Sequence, residues 1–377
     1  MQWTSFISRR EATTEALEEC LDGIAAAFEP DLVLVFASRH HTARTTDIPR
    51  AVAERFENAV IAGCSSWSVI GGGEEVEEGP GLSVTAARLP GVELDSRHIT
   101  DLSALDGYGA DVEAFLAIVD SNSTDTDGLV QRLDESYPNA VKFGGFASGG
   151  LYPGANVLFH GHEAVRQGSL VIGFRGNLAV DTIVAQGCKP IGAPLIVLRH
   201  QGNVILELDQ GKPSEVLQRL YETLDPEDRR LIPQALNLGI EMRSRSDGVY
   251  QRGDYLVRPI IGIDPNSGAL VVSENVTTHA VVQFHLRDAR ASTEDLHEWL
   301  SGFDHKDRHR GALLFSCIGR GVGLFGSPNH DTGMFREMVG DLPVGGFFCS
   351  GEIGPVGGQT FVHGYTSTFA VFRPGDE

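Results

Sequence analysis

The chain has 377 residues, 41% of them hydrophobic, enough to bury a large core and to form two domains or lobes rather than one. Its 30 Lys and Arg face 51 Asp and Glu, a formal charge of -21, which disfavours nucleic acid or an anionic membrane as a general partner. No run approaches the roughly 18 apolar residues of a membrane span, and the start, MQWTSFISRREATTEALEEC, lacks the apolar core of a signal peptide, so a cytoplasmic protein is expected. The five cysteines, Cys20, Cys64, Cys188, Cys317 and Cys349, are scattered and contain no CxxC pair, which predicts free thiols without a disulfide framework or zinc site.

From Asp31, DLVLVFASRHH reads as a buried strand that runs out into a polar loop. Ile48 to Phe56 has helical spacing of its apolar residues, and AVIAGCSSWSV from Ala59 reads as a second strand with a small-residue end. Gly71, Gly72 and Gly73 are followed by an acidic run, Glu74 to Gly79, that repels phosphate, so the segment reads as a hairpin before the strand LSVTAARL. The same order recurs with FLAIVDSNSTD from Phe115, a helix over Leu129 to Tyr137, AVKFGGFASGG from Ala140 and SLVIGFRG.

The middle of the chain differs. From Gly187 two strands flank a Gln201-Gly202-Asn203 turn, and a helix led by Pro213 follows a Gly211 turn. Three strands come next, the first two joined by Pro265-Asn266-Ser267-Gly268. The first pattern then returns a third time as ALLFSCIGRGV from Ala312, a helix over Met334 to Val339, LPVGGFFCSGEIGP from Leu342, and QTFVHGYTSTFAVFR with its Gly364 turn. The expected fold is α/β, two lobes with mixed sheets flanked by helices and repeated strand-helix-strand units, with the lobe boundary between Gly176 and Gly187.

A strand-helix-strand crossover makes its two strands parallel and sends their loops to one carboxyl edge, where open α/β sheets bind ligands. That places Arg39, Ser121, Asn122, Cys317 and Arg320 in loops after first strands. Cys64, Ser148, Cys349, Ser350 and Glu352 lie at the ends of second strands. The small residues there admit either a ligand or a tightly packed neighbour. Arg320 suits a ligand carboxylate and Glu352 an ammonium, or the two form a structural ion pair. Arg258, just before Pro259, faces solvent or points into a pocket.

Other chemistry has thinner support. A Cys-His pair drawn from Cys317, Cys349, His40, His41, His330 and His363 would make a nucleophile and base, but no nucleophile elbow, P-loop or HExxH is present. His40 and His41 point apart if extended, and His305 and His309 sit among charges, so no metal is expected.

The small-residue strand end GCSS, the acidic hairpin, GGF, LDQGKPSEVL, YLVRPIIGID, LLFSCIGRG and GGFFCSGEIGPVGG followed by FVHGYT together resemble the FIST proteins over Asp31 to Phe372. The resemblance implies an N-terminal FIST domain over 31–180 and a C-terminal one over 187–372. It also implies a sensory module that binds a small molecule, with an amino acid or related metabolite as the family-level ligand and a signalling protein as partner. Some members are haem-binding sensors, for which His160, His162 and His363 are the candidate axial ligands, but no attachment motif is present and no cofactor is expected. The competing expectations are a cysteine-dependent hydrolase or transferase and a ligand-free interaction scaffold.

Overall fold

The computed structural model describes residues 1–243, 249–304 and 306–375. A first series of elements comprises β1 (Gln2–Ser8), α1 (Thr13–Ala27), β2 (Leu32–Ser38), α2 (Ile48–Arg55), β3 (Val60–Ser66), the hairpin β4 (Val69–Gly71) and β5 (Glu74–Val76), and β6 (Leu82–Arg88). A second repeats the order as β7 (Val92–Ile99), β8 (Val112–Val119), α3 (Thr126–Ser136), β9 (Val141–Phe146), the hairpin β10 (Leu158–His160) and β11 (Glu163–Val165), and β12 (Ser169–Gly176). A third series starts with β13 (Ala179–Ala185) and is then interrupted. The interruption comprises β14 (Cys188–Gln201), β15 (Val204–Leu208), α4 (Pro213–Thr223), α5 (Pro226–Ala235), β16 (Leu236–Glu241), β17 (Tyr255–Ile263), β18 (Leu270–Val272) and β19 (Val281–Arg287). After α6 (Ala289–Ser301) the third series resumes with β20 (Gly311–Cys317), α7 (Val322–Phe325), α8 (His330–Met338) and β21 (Val344–Cys349). It ends with the hairpin β22 (Glu352–Val356) and β23 (Gln359–His363), and β24 (Ser367–Arg373).

Contacts divide the chain into two compact units, Met1–Val184 with His297–Val362 and Thr366–Glu377, and Ala185–Leu296 with His363–Tyr365. In the first unit β2 and β3, β8 and β9, and β20 and β21 pair in parallel, as a crossover helix requires. Each first strand is also flanked on its other side by an antiparallel strand, β6, β12 or β24. Three mixed six-stranded sheets result.

Each hairpin leaves its own series. The β4–β5 hairpin pairs with β21, β10–β11 with β3, and β22–β23 with β9. The exchange is therefore cyclic, and each sheet ends in a hairpin borrowed from another series. Gly72 and Gly73 take φ of 58° and 77° in the first hairpin turn, and β4 and β5 pair antiparallel around them. The acidic Gly-rich stretch is thus a hairpin, as its charge predicts.

The three sheets enclose a common core. Leu32, Leu34 and Phe36 point into it from β2, Leu116 and Ile118 from β8, and Leu313 and Phe315 from β20. The alternate residues Val33 and Val35 pack on the α1–α2 side, and Phe115 and Val119 on the α3 side. Strands covered on both faces read as unbroken apolar runs, which is why these segments stand out in the sequence. Trp3 stacks on Phe372 at 4.3 Å, and Phe372 meets Phe143 edge-on at 5.7 Å, so aromatic rings tie the sheets together.

The second unit is built on a closed six-stranded barrel in the order β14-β15-β18-β17-β16-β19. Its core includes Val197, Ile205, Leu238, Val282 and Phe284. Pro213 opens α4 at its first position, where the missing N–H costs no bond. No helix among the described residues is long and apolar enough to cross a membrane.

Candidate functional site

The carboxyl end of β20 and the helices after it hold a cluster of buried charges. Arg320, in the turn that follows β20, grips Asp331 with Nε donating to Oδ2 at 2.8 Å and Nη2 donating to Oδ1 at 2.8 Å. The Arg320 side chain is fully buried and that of Asp331 nearly so. Ser316 Oγ donates to Asp331 Oδ2 at 3.1 Å, and His330 Nδ1 lies 2.8 Å from Oδ1. The His330 ring stacks on Phe325 with centroids 3.4 Å apart. An ion pair of Arg320 with Glu352 is one of the two alternatives the sequence leaves open, and the bidentate partner of Arg320 is instead Asp331 in the first turn of α8. Glu352 is fully buried, and its Oε2 accepts the Thr366 N–H at 3.1 Å.

The exchanged β4–β5 hairpin closes the cluster. Glu75 Oε1 accepts the Thr332 N–H at 2.8 Å, and Asn329 Oδ1 accepts the Glu75 N–H at 2.7 Å. Glu77 accepts the Val322 N–H with both oxygens, at 2.8 and 3.0 Å. A Cβ on Gly321, whose φ is 69°, would come 2.1 Å from the Glu77 carboxylate, so the chain needs glycine there.

Two carboxyls in this cluster are driven in opposite directions. Burial and the Asp331 charge push Glu75 up to about 8, against the opposing Thr332 N–H bond. Burial also works against the Asp331 charge, but Arg320 and His330 hold it below the usual carboxylate range. At neutral pH the arrangement therefore stores a proton on Glu75 beside an ionised Asp331.

A folded-state value raised from 4.5 to about 8 means that the native protein binds the Glu75 proton more tightly than the unfolded chain. Stability from this group is complete below about pH 4.5 and declines as pH rises to about 8. Glu75→Gln should therefore raise the melting temperature at pH 8 and leave it nearly unchanged at pH 4.5. Equal shifts at both values would contradict the raised pKa.

The other residues singled out in the sequence are spread more widely. Ser148 is buried, accepts the Trp67 N–H at 2.9 Å and donates to the Phe348 carbonyl, bridging ends of two sheets. Ser350 is exposed and donates to the Ala147 carbonyl at 3.3 Å. Arg39 is exposed, with its guanidinium 3.8 Å above the Trp67 ring. Ser121 is exposed, and Asn122 donates to Asp120 Oδ1 at 3.3 Å. Asp120, which the sequence reading passed over, is the buried organiser of that loop and also accepts from Ser123 and Asn156. Arg258 belongs to the barrel unit, where its Nε donates to Glu274 at 3.1 Å.

All five cysteines are buried and none forms a disulfide among the described residues. Cys64 and Cys349 belong to the core shared by the three sheets, and burial raises both thiols well above their ordinary value, which disfavours a thiolate nucleophile. Cys317 is also buried, and its N–H donates to the Thr366 carbonyl at 3.0 Å.

Among the histidines, His40 is exposed, while His41 is buried with Nδ1 3.1 Å from Thr13 Oγ1. His160 is half-buried with Nε2 3.4 Å from the Ser96 carbonyl, and His162 is exposed. His363 is buried. His309 lies 2.8 Å from Asp181, and His305 is outside the described residues. No group of three or more His, Cys, Asp or Glu among the described residues is placed to hold a metal.

Several small residues prove to be packing positions. A Cβ on Gly145 would come 2.3 Å from Cys349 Sγ, and one on Gly351 would come 2.6 Å from the Phe146 ring. The strand end GFFCSGE thus packs sheet on sheet at those positions. Sequence reasoning missed Asp331 and the burial of Glu75, although an Asp in the first turn of a helix shortly after an Arg-bearing loop is a signal that could have flagged the first.

Two family models match the chain, one described as the FIST N domain over residues 31–211 and the other as the FIST C domain over 214–355. An uncharacterised protein of Mycobacterium bovis is 32% identical over 371 residues, covering 96% of this chain and 95% of its own. An uncharacterised protein of Mycobacterium tuberculosis is 33% identical over 370 residues, with the same two coverages. An F-box/LRR-repeat protein of Arabidopsis thaliana is 39% identical over 72 residues, 16% of this chain and 13% of its own.

Proposed function

Since the chain belongs to the FIST family, whose domains are associated with sensory signal transduction, we propose that it is a cytoplasmic sensor of an amino acid or a similarly small polar metabolite. The observation that carries this reading is the burial of opposite charges, Arg320 and Glu352, beside the carboxyl ends of the parallel pair β20 and β21. Since Asp331 already neutralises Arg320, a zwitterion binds here by setting its carboxylate in competition with Asp331 for the guanidinium and its ammonium towards Glu352. Ser350 and the loop residues Ser121 and Asn122 supply neutral hydrogen-bonding groups at equivalent strand ends. Occupancy is passed to a partner protein, which carries the output.

Native mass spectrometry of the purified chain, followed by calorimetry with an amino-acid panel, tests the reading. A retained small metabolite, or saturable binding of one panel member, is the expected result. A clean apo mass with no binder in the panel would refute it. Replacing Cys349 by Ser should change the affinity of that ligand by less than roughly tenfold, about 1.4 kcal/mol, because the thiol lies in the core shared by the three sheets. Loss of a measurable turnover in the same variant would favour the hydrolase or transferase reading instead.

A further inference from the structure

Where α5 ends and β16 and β17 pair, the barrel unit contains a cleft of about 430 Å3. Ile232 and Ile260 give it an apolar wall, Gly262 leaves one side open, and Arg287 and Tyr365 stand among its polar residues. Among the described residues no carboxylate lines it. Of the described lining residues only Arg287 is charged, and its Nε is buried and has no hydrogen-bond partner among the described residues. The guanidinium carbon lies 5.2 Å from the centre of the Tyr365 ring. Tyr365 itself takes φ of 64°, a left-handed conformation that is unfavourable for a tyrosine and that sets its ring against the arginine.

Among other half-buried or buried arginines, Arg258 meets Glu274, Arg320 meets Asp331 and Arg373 meets Asp181, while Arg229 and Arg308 donate to backbone carbonyls. In a chain of formal charge -21, an arginine that faces a cleft without an acid is set apart for an anion from outside. A guanidinium matches a carboxylate or a phosphate through paired N–H donors. The lone arginine and the isoleucine wall favour the less highly charged group attached to a short apolar body. We propose that this cleft binds a small organic monocarboxylate, with the carboxylate on Arg287 and the hydrocarbon part against Ile232 and Ile260. The site is additional to the strand-end site of the first unit and does not depend on it.

The full chain is titrated calorimetrically with isovalerate, benzoate, neutral isovaleramide and inorganic phosphate. At least one of the two carboxylates should bind, and the amide should not. Arg287→Gln should weaken carboxylate binding at least tenfold. A Cβ at Gly262 meets no atom within 4 Å, so Gly262→Leu should fold normally, fill the cleft and abolish binding. Absence of carboxylate binding, equal binding of the amide, or tighter binding of phosphate would overturn the proposal. So would unchanged affinity in Gly262→Leu, which decides the matter even if Arg287→Gln fails to fold.

Discussion

Arg320→Ala should lower the stability of the chain by about 3–5 kcal/mol, because it leaves the Asp331 carboxylate buried without its cation. That is a large share of the roughly 5–15 kcal/mol that holds a typical domain together. Asp331→Asn should cost a similar amount. Arg320→Lys should recover only part of the loss, since an ammonium cannot reproduce the contacts of Nε and Nη2 with the two carboxylate oxygens. The double variant Arg320→Met with Asp331→Leu removes both charges and should be more stable than either single replacement. Urea unfolding of the four variants reads these differences directly. A cost below about 1 kcal/mol for Arg320→Ala would show that the pair is not the buried lock described above.

Replacing Gly63, Gly144 or Gly346 by alanine should each cost more than about 4 kcal/mol or prevent folding. These glycines occupy the same place in the three series. They take φ of 156°, 148° and 147°, and an added Cβ would come 1.8, 1.9 and 1.9 Å from the carbonyl oxygens of Val35, Ala117 and Leu314. Each of those carbonyls belongs to the residue paired with the glycine on the adjacent parallel strand. The obstacle is backbone in the middle of a sheet, which cannot rotate away as a side chain can. Gly323→Ala is the control, since a Cβ there meets nothing within 4 Å. Thermal melts that place any of the three core variants beside the control would refute the steric argument.

The cyclic exchange of hairpins explains why those glycines matter. Where the second strand of each parallel pair ends, it meets a hairpin from a different series. The Phe348, Ser65 and Phe146 N–H groups donate to the Ser68, Val157 and Gly351 carbonyls at 3.1, 2.8 and 2.8 Å. A shift at one glycine would therefore disturb two sheets. The same junction brings Glu75 to the Arg320–Asp331 pair, so the charge cluster at the end of β20 exists only when the first and third series are both folded.

What the sequence by itself determined are the elements whose cause is local. The buried strands announce themselves as continuous apolar runs, the crossover helices by their spacing, and the β4–β5 turn by its glycines and repelling acids. Parallel pairing follows from these, because a strand, a helix and a strand of that length close in one way. The strand-end glycines were visible too, but a small residue looks the same whether it makes room for a ligand or for a neighbouring carbonyl. Only the tertiary structure decided which hairpin caps which sheet, and with it the partners of Glu75, which lie 254 and 257 positions away at Asn329 and Thr332. It also decided that Arg320 belongs to Asp331 rather than Glu352. Edge strands present the same backbone donors and acceptors to any partner, and a carboxylate's charge does not reveal which arginine it will meet. Those choices are made by side-chain packing between segments far apart in the chain, and no local pattern records them.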